Sequence, residues 1–258
     1  MYKSLLAPAA AQLRGYRTLI IVPDGFLWQL PFQALEPVAN RYLIEDKAIF
    51  YAPSFTVLHE MLKSKAEPRQ PRVLAISATG LATTRREALG LRDIYGAANT
   101  NVLLDAEANE SAVRKNVESY GVLHLAAHGV FQDRNPLASY LVLSKGSLDA
   151  TAMMGLRLRA GMVVLSGCET GRGETGTGEG LIGMSWALFV AGSPTTVASQ
   201  WKVDAASTSE LMLQFHRGAH GSGSKARAMQ QASLAVMKMP QYRHPFYWSG
   251  FVVMGQGF

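Results

Sequence analysis

A histidine and a cysteine forty residues apart each close an apolar run, and no other pair in this chain looks so much like a reaction centre. The first run is Val122-Leu123-His124-Leu125-Ala126-Ala127-His128-Gly129, and the second is Met162-Val163-Val164-Leu165-Ser166-Gly167-Cys168. If both are buried parallel strands, they deliver an imidazole and a thiol to the carboxyl edge of one sheet, where open α/β folds place their chemistry. Thiol and imidazole near one another are the minimal nucleophile and base of a cysteine peptidase. The Gly129 and Cys168 amides face the loops that follow, and two such donors are what a tetrahedral oxyanion needs. Taken singly, each residue has a blander reading. An unpaired Cys is usually a small inert core side chain, and a strand-end His is more often a satisfied polar group. The joint arrangement, with both last in their runs and both beside glycine, favours the reactive reading.

The elements that must position this pair follow from hydrophobic patterning. Strand-like runs fall at Thr18–Val22, Ala48–Ala52, Val73–Ser77, Asn101–Leu104, Val122–Ala127, Tyr140–Leu143, Met162–Leu165, Thr195–Gln200 and Phe251–Met254. Helical periodicity marks Tyr2–Leu13, Phe55–Lys65, Thr84–Tyr95, Glu110–Tyr120, Leu181–Ala191, Ala205–Arg217 and Ser224–Met237. Such alternation predicts an α/β fold with a mostly parallel sheet and helices on both faces. Tyr140–Leu143 follows His128-Gly129 too closely for a crossover, so it predicts a hairpin-like excursion and a mixed sheet. Pro68 and Pro71 mark the best internal boundary, near residues 66–72. Residues 1–258 otherwise read as a single domain, without a 20–50-residue repeat.

Composition narrows the class. At 258 residues and 48% hydrophobic content the chain can bury a large core. Its apolar runs are too short for a transmembrane helix, so no membrane partner is expected. The Met1–Ala11 stretch faintly imitates a signal peptide, but Pro8 interrupts it and a strand pattern follows. It is read as an amphipathic helix. One cysteine cannot form an internal disulfide, which fits a reducing cytoplasm. The net charge of +6 is dispersed rather than blocked, so nucleic-acid binding is not supported.

Two rival motifs need weighing. Gly171-Arg172-Gly173-Glu174-Thr175-Gly176 matches a dinucleotide-binding GxGxxG, but Thr177–Gly180 separate it from the helix whose N-terminus should hold the pyrophosphate. Asp204, the candidate ribose carboxylate, lies 28 residues past the last glycine instead of about 20 and reads as a helix cap. His124 and His128 have a zinc-like spacing, yet on a strand they stand about 13 Å apart, too far for one ion. His216 and His220 repeat that spacing where a helix is expected to end, and read as histidines favoured by the helix dipole. No metal and no cofactor are therefore expected.

Taken in order, the segments resemble the CHAT domain, a caspase-like cysteine peptidase module of clan CD that is often fused to tetratricopeptide repeats. The resemblance rests on Ile21-Val22-Pro23-Asp24-Gly25, Leu30-Pro31-Phe32, Leu123–Gly129 and Leu165–Gly171. Later come Ala191-Gly192, Ala198–Asp204, Tyr247-Trp248-Ser249-Gly250-Phe251 and Gly255. It implies a caspase-like three-layer α/β/α sandwich, His128 and Cys168 as a catalytic dyad, and Gly129 and Cys168 as the oxyanion hole. The family often reads Ala-Thr-His-Gly and Ser-Ala-Cys where this chain has Ala127 and Gly167. Both exchanges are between small residues and are expected to be tolerated. In caspase-like enzymes the strand after the nucleophile's helix borders the substrate cleft, which makes Gln200 and Trp201 substrate-binding candidates. An indole at a strand end is more often a core group than a subsite. The glycine-rich stretch Gly171–Gly180 is either a plain surface loop or a cleft wall that a partner must order.

The expected function is thus a cysteine endopeptidase that cleaves a specific protein partner and is controlled by a regulatory protein or an upstream repeat domain. No repeat precedes the domain here, so it is a stand-alone form or one piece of a longer protein. The alternative is a CHAT-type signalling scaffold that binds and does not cut.

Overall fold

The computed structural model describes residues 1–63, 72–170 and 178–258, the side chains of residues 168–170 and 222 excepted. The strands are β1 (Thr18–Ile21), β2 (Ala48–Tyr51), β3 (Val73–Ser77), β4 (Thr100–Leu104), β5 (Val122–Phe131), β6 (Tyr140–Val142), β7 (Ser147–Asp149), β8 (Met162–Thr170), β9 (Thr195–Ser199) and β10 (Phe251–Gly255). They form one sheet in the order β1-β2-β10-β9-β8-β5-β3-β4, with β6 and β7 as a hairpin on the side of β5. Pairing is parallel except between β10 and β9 and within the hairpin and its contact with β5. The mixed, mostly parallel sheet is the one expected, and Tyr140–Val142 is its antiparallel excursion. The segment around the suggested boundary lies outside the described residues.

The strands are nearly continuous apolar runs because successive side chains point to opposite faces and both faces of the sheet are covered. On one face Leu74, Ile76, Leu123, Leu125, Val163, Leu165 and Met254 join a core roofed by the helix Glu179–Val190. On the other, Val73, Ala75, Val122, Val164, Val253 and Phe251 pack beneath the helices Ala82–Tyr95, Ala205–Ser222 and Lys225–Met237. The result is three layers, helix–sheet–helix. No helix among the described residues is long and apolar enough to cross a membrane.

Several element boundaries differ from the sequence reading for identifiable reasons. The expected helix Tyr2–Leu13 breaks into two four-residue helices around a 3-10 turn at Ala7–Ala9, because Pro8 cannot continue the ladder. The helix expected to end at Arg217 runs to Ser222 and stops at Gly223, which takes the left-handed conformation common at helix ends. Gly218 does not end it. A Cβ there would meet Ala228 at 3.1 Å, so this glycine serves close packing against the next helix. Strands β5 and β8 extend past the apolar runs, through Phe131 and Thr170.

Candidate functional site

The two sequence-predicted runs lie side by side. β5 and β8 pair in parallel from Val122↔Met162 to Ala126↔Ser166, and then the register jumps, resuming at Gly129↔Cys168. Three steps along β5 match two along β8, so β5 carries a one-residue bulge immediately before and at His128. Bulges re-aim side chains and recur beside active sites. Gly167 meets the bulge: its φ is +104°, a left-handed value disfavoured for L side chains, and a Cβ there would lie 3.3 Å from the Ala127 carbonyl oxygen. Gly129 and Cys168 are therefore direct neighbours across the strand pair, about 4.8 Å apart by ordinary strand spacing. His128 precedes Gly129 in the chain.

His128 is half-buried, and its Nδ1 is buried with no hydrogen-bond partner among the described residues. No carboxylate among the described residues orients this ring. On the outer side, β6 takes over from β3 as the neighbour of β5, pairing Val142, Leu141 and Tyr140 with His128, Gly129 and Val130. On the other side, β9 pairs with β8 only at Val163 and Val164. Past that point β5 and β8 run on as an extension, and the edge between β8 and β9 opens.

Beyond β9 the chain continues into Gln200 and Trp201. The Gln200 backbone donates to the Gly250 carbonyl at 2.8 Å, and its side-chain amide donates to the Trp28 carbonyl at 2.5 Å. Trp201 is held against Gly250, where a Cβ would come within 3.1 Å of the indole. Gln200 Oε1 and Trp201 Nε1 are both buried and unpartnered. Buried polar atoms normally find partners, so two orphans on adjacent residues are unusual. The motif segments also meet here. Phe32 donates its amide to the Tyr51 hydroxyl at 3.2 Å, Tyr51 donates to Gln33 Oε1 at 2.7 Å, and Gln33 donates to the Ser249 carbonyl. Burial raises the Tyr51 phenol far above its ordinary range, so it stays a neutral donor.

The stretch Gly171–Gly180 lies outside the described residues as far as residue 177. Its C-terminal end is described and is tightly fixed. Asp133 accepts from the Gly178 amide at 3.1 Å and from the Gly180 amide at 2.8 Å, at the start of the helix Glu179–Val190. The chain's own carboxylate thus occupies the anion position at this helix N-terminus, where a dinucleotide phosphate would have to sit. Trp28 closes the other side, since a Cβ on Gly178 would come 2.7 Å from its Cβ. Asp204, the other rival group, accepts from the Ser207 amide at 2.8 Å as the cap of its helix.

Beneath the opposite face of β5 and β8 lies a polar chain that sequence reasoning missed. Ser166 Oγ donates to Glu87 Oε1 at 2.5 Å, and His124 Nε2 approaches the same oxygen at 2.8 Å, though outside hydrogen-bond alignment. His124 Nδ1 lies 3.0 Å from His216 Nε2, and His216 Nδ1 lies 3.0 Å from the Tyr95 hydroxyl. Burial, reinforced by the neighbouring His124, holds His216 well below the usual histidine range. His216 is therefore not a helix-end histidine favoured by the dipole, as its spacing suggested; it is a fully buried neutral imidazole in the interior of its helix. The only sequence signal for this cluster was polar residues at positions whose periodicity faces the core.

A bulged parallel strand pair that ends in histidine-glycine and cysteine, inside a mixed three-layer sandwich, defines the caspase-like class of α/β folds. Solved structures agree. The Saccharomyces cerevisiae separase–securin complex superimposes with a TM-score of 0.64 at 12% identity, over 99% of this chain and 17% of that one. The Arg-specific cysteine proteinase gingipain R gives a TM-score of 0.56 at 10% identity, over 85% of this chain and 56% of that one. The chain belongs to the CHAT domain family, whose model matches residues 1–256. Among curated proteins it is similar to tetratricopeptide repeat protein 28 of Homo sapiens, 21% identical over 99% of this chain and 13% of that protein. The Mus musculus protein of the same name is 26% identical over 42% of this chain and 4% of its own length. The chain thus spans only a small part of the curated relatives it matches.

Proposed function

We propose that residues 1–258 form one CHAT-type peptidase domain, a cytoplasmic cysteine endopeptidase that cleaves a specific protein partner. Cys168 is the nucleophile and His128 the base that takes its proton and returns it to the leaving amine. The amides of Gly129 and Cys168 receive the oxyanion. The observation that carries this reading is the pairing of Gly129 with Cys168 across the bulge, which sets the histidine strand beside the cysteine strand at the edge where β8 and β9 part. The free Nδ1 of His128 fits a dyad, because a thiolate is nucleophilic enough to work without a third group to orient the base. Gln200 and Trp201 would bind substrate through their unpartnered polar atoms.

Control belongs to the same reading. The likeness to a tetratricopeptide repeat protein supports a repeat region or a separate regulator as the activating partner. A thiol-reactive peptide probe decides between cutting and merely binding. Wild type should be labelled at one site, Cys168→Ala not at all, and His128→Ala at least about a hundredfold more slowly, the lower end of general-base contributions. A thiol that stays silent with and without a repeat-containing partner would instead favour the signalling scaffold.

A further inference from the structure

The outer faces of the helices Ala82–Tyr95 and Ala205–Ser222 form an open groove of about 670 Å³, whose lining includes neither His128 nor Cys168. Its charge is one-sided. Arg85, Arg86 and Arg92 from the first helix and Arg217 from the second line it, against the single carboxylate of Asp93. All five are exposed, and among the described residues only Arg85 of these arginines is engaged, by Asp105. Arg85, Leu89 and Arg92 stand at i, i+4 and i+7 on one helix stripe, and Arg86 lies beside it, three residues before Leu89. This stripe is not a solvated mixed-charge face, because no acidic residue stands four positions away to neutralise Arg86 or Arg92.

The floor is apolar. Leu89 is 37% exposed, and Leu213 closes the bottom where the two helices cross at Gly90. A Cβ on Gly90 would strike Leu213 at 2.7 Å, so the glycine is what lets the helices approach and gives the groove its depth.

We propose that this groove docks an acidic, amphipathic protein segment, a helix turn or two bearing Asp or Glu beside Leu-like side chains. Guanidinium forks match carboxylates bidentately, which rewards acidic side chains at fixed spacing. Apolar contacts from the segment cover Leu89 and Leu213. A polynucleotide fits worse, since the groove offers no aromatic ring for stacking and sets Asp93 against a phosphate backbone. A bilayer fits worse too, because the surface is concave and Leu89 is its only exposed large apolar side chain. The volume lies within the about 300–1,000 Å³ range of clefts that bind specific groups.

The test is binding and does not depend on peptidase activity. The probes are a labelled 14-residue peptide with Leu and Glu on one helical face, its Glu→Gln counterpart, a single-stranded RNA 12-mer, and phosphatidylserine vesicles. Each is titrated against wild type, the Arg86→Glu/Arg217→Glu double variant and the neutral Arg86→Gln/Arg217→Gln variant, with circular dichroism confirming the fold. The acidic peptide should bind in a salt-dependent way and shift the amide resonances of Leu89, Gly90 and Leu213. Charge reversal should weaken it at least about tenfold, the Gln variant less, and the Glu→Gln peptide should bind poorly. No binding by the acidic peptide, or binding indifferent to both variants, overturns the proposal. So does RNA or vesicle binding that the charge reversal abolishes while leaving the peptide unaffected.

Discussion

At the scale of single residues, the chemistry turns on a glycine as much as on the histidine and cysteine. Gly167 has φ +104° and faces the carbonyl of Ala127 inside the bulge. An alanine there must either adopt a disfavoured left-handed backbone or pull the strand out of register beside Cys168. Gly167→Ala should therefore lower stability by about 1–3 kcal/mol, the usual cost of a residue forced into such a conformation. It should also slow probe labelling of Cys168 by more than the stability loss explains. Urea unfolding and labelling kinetics on the same variant check both parts, and an unchanged midpoint would show that the positive φ is not required. The sequence comparison alone suggested that Ala and Gly are interchangeable here because both are small. The backbone angle, and not side-chain volume, distinguishes them in this chain.

At the scale of elements, the helix Glu179–Val190 depends on Asp133 for its start. One carboxylate satisfies two amides, at Gly178 and Gly180, and so ties the strand end at Phe131 to the far end of the Gly171–Gly180 stretch. Asp133→Ala should cost about 1 kcal/mol, as loss of a helix cap generally does. Hydrogen exchange should accelerate at residues 178–182 while the amides of β5 and β8 keep their protection. Asp133→Asn, which retains one acceptor oxygen, should fall between wild type and Ala. Uniform acceleration across the sheet would mean that Asp133 supports the whole fold and not this helix start. The idea that a partner orders this stretch gains a specific target, since the anchored end begins at Gly178.

At the scale of the molecule, the chain Ser166–Glu87–His124–His216–Tyr95 joins β8, β5 and two helices from separate parts of the sequence under one layer of the core. His216 is held neutral by burial, so its folded pKa lies below the unfolded value of about 6.5. The unfolded chain therefore binds a proton that the folded chain refuses. This makes stability full above about pH 6.5 and eroded as pH falls below it, by up to about 1.4 kcal/mol per pH unit for this one group. Wild type should show that slope in urea midpoints between pH 6.5 and 5. His216→Gln should be less stable at pH 7.5 yet flatter with pH. A wild-type midpoint constant over that range would contradict a buried neutral His216.

The sequence by itself determined a great deal: the α/β class, most strand positions, the hairpin after His128, and the family. Those features rest on local periodicity and on short motifs, which survive being read along the chain. Strand pairing was also implied, because two apolar runs that end in turn residues have few places to go in a parallel sheet. The tertiary structure alone decided the register. A one-residue bulge leaves no mark in composition, yet it determines that Cys168 stands across from Gly129. It also decided the fate of the polar residues, since nothing in the sequence links Glu87, His124 and His216 until packing brings His124 to 2.8 Å from Glu87 and 3.0 Å from His216. Such contacts join residues up to 121 positions apart, and no pattern of period two or 3.6 encodes which distant partner a buried polar atom will meet.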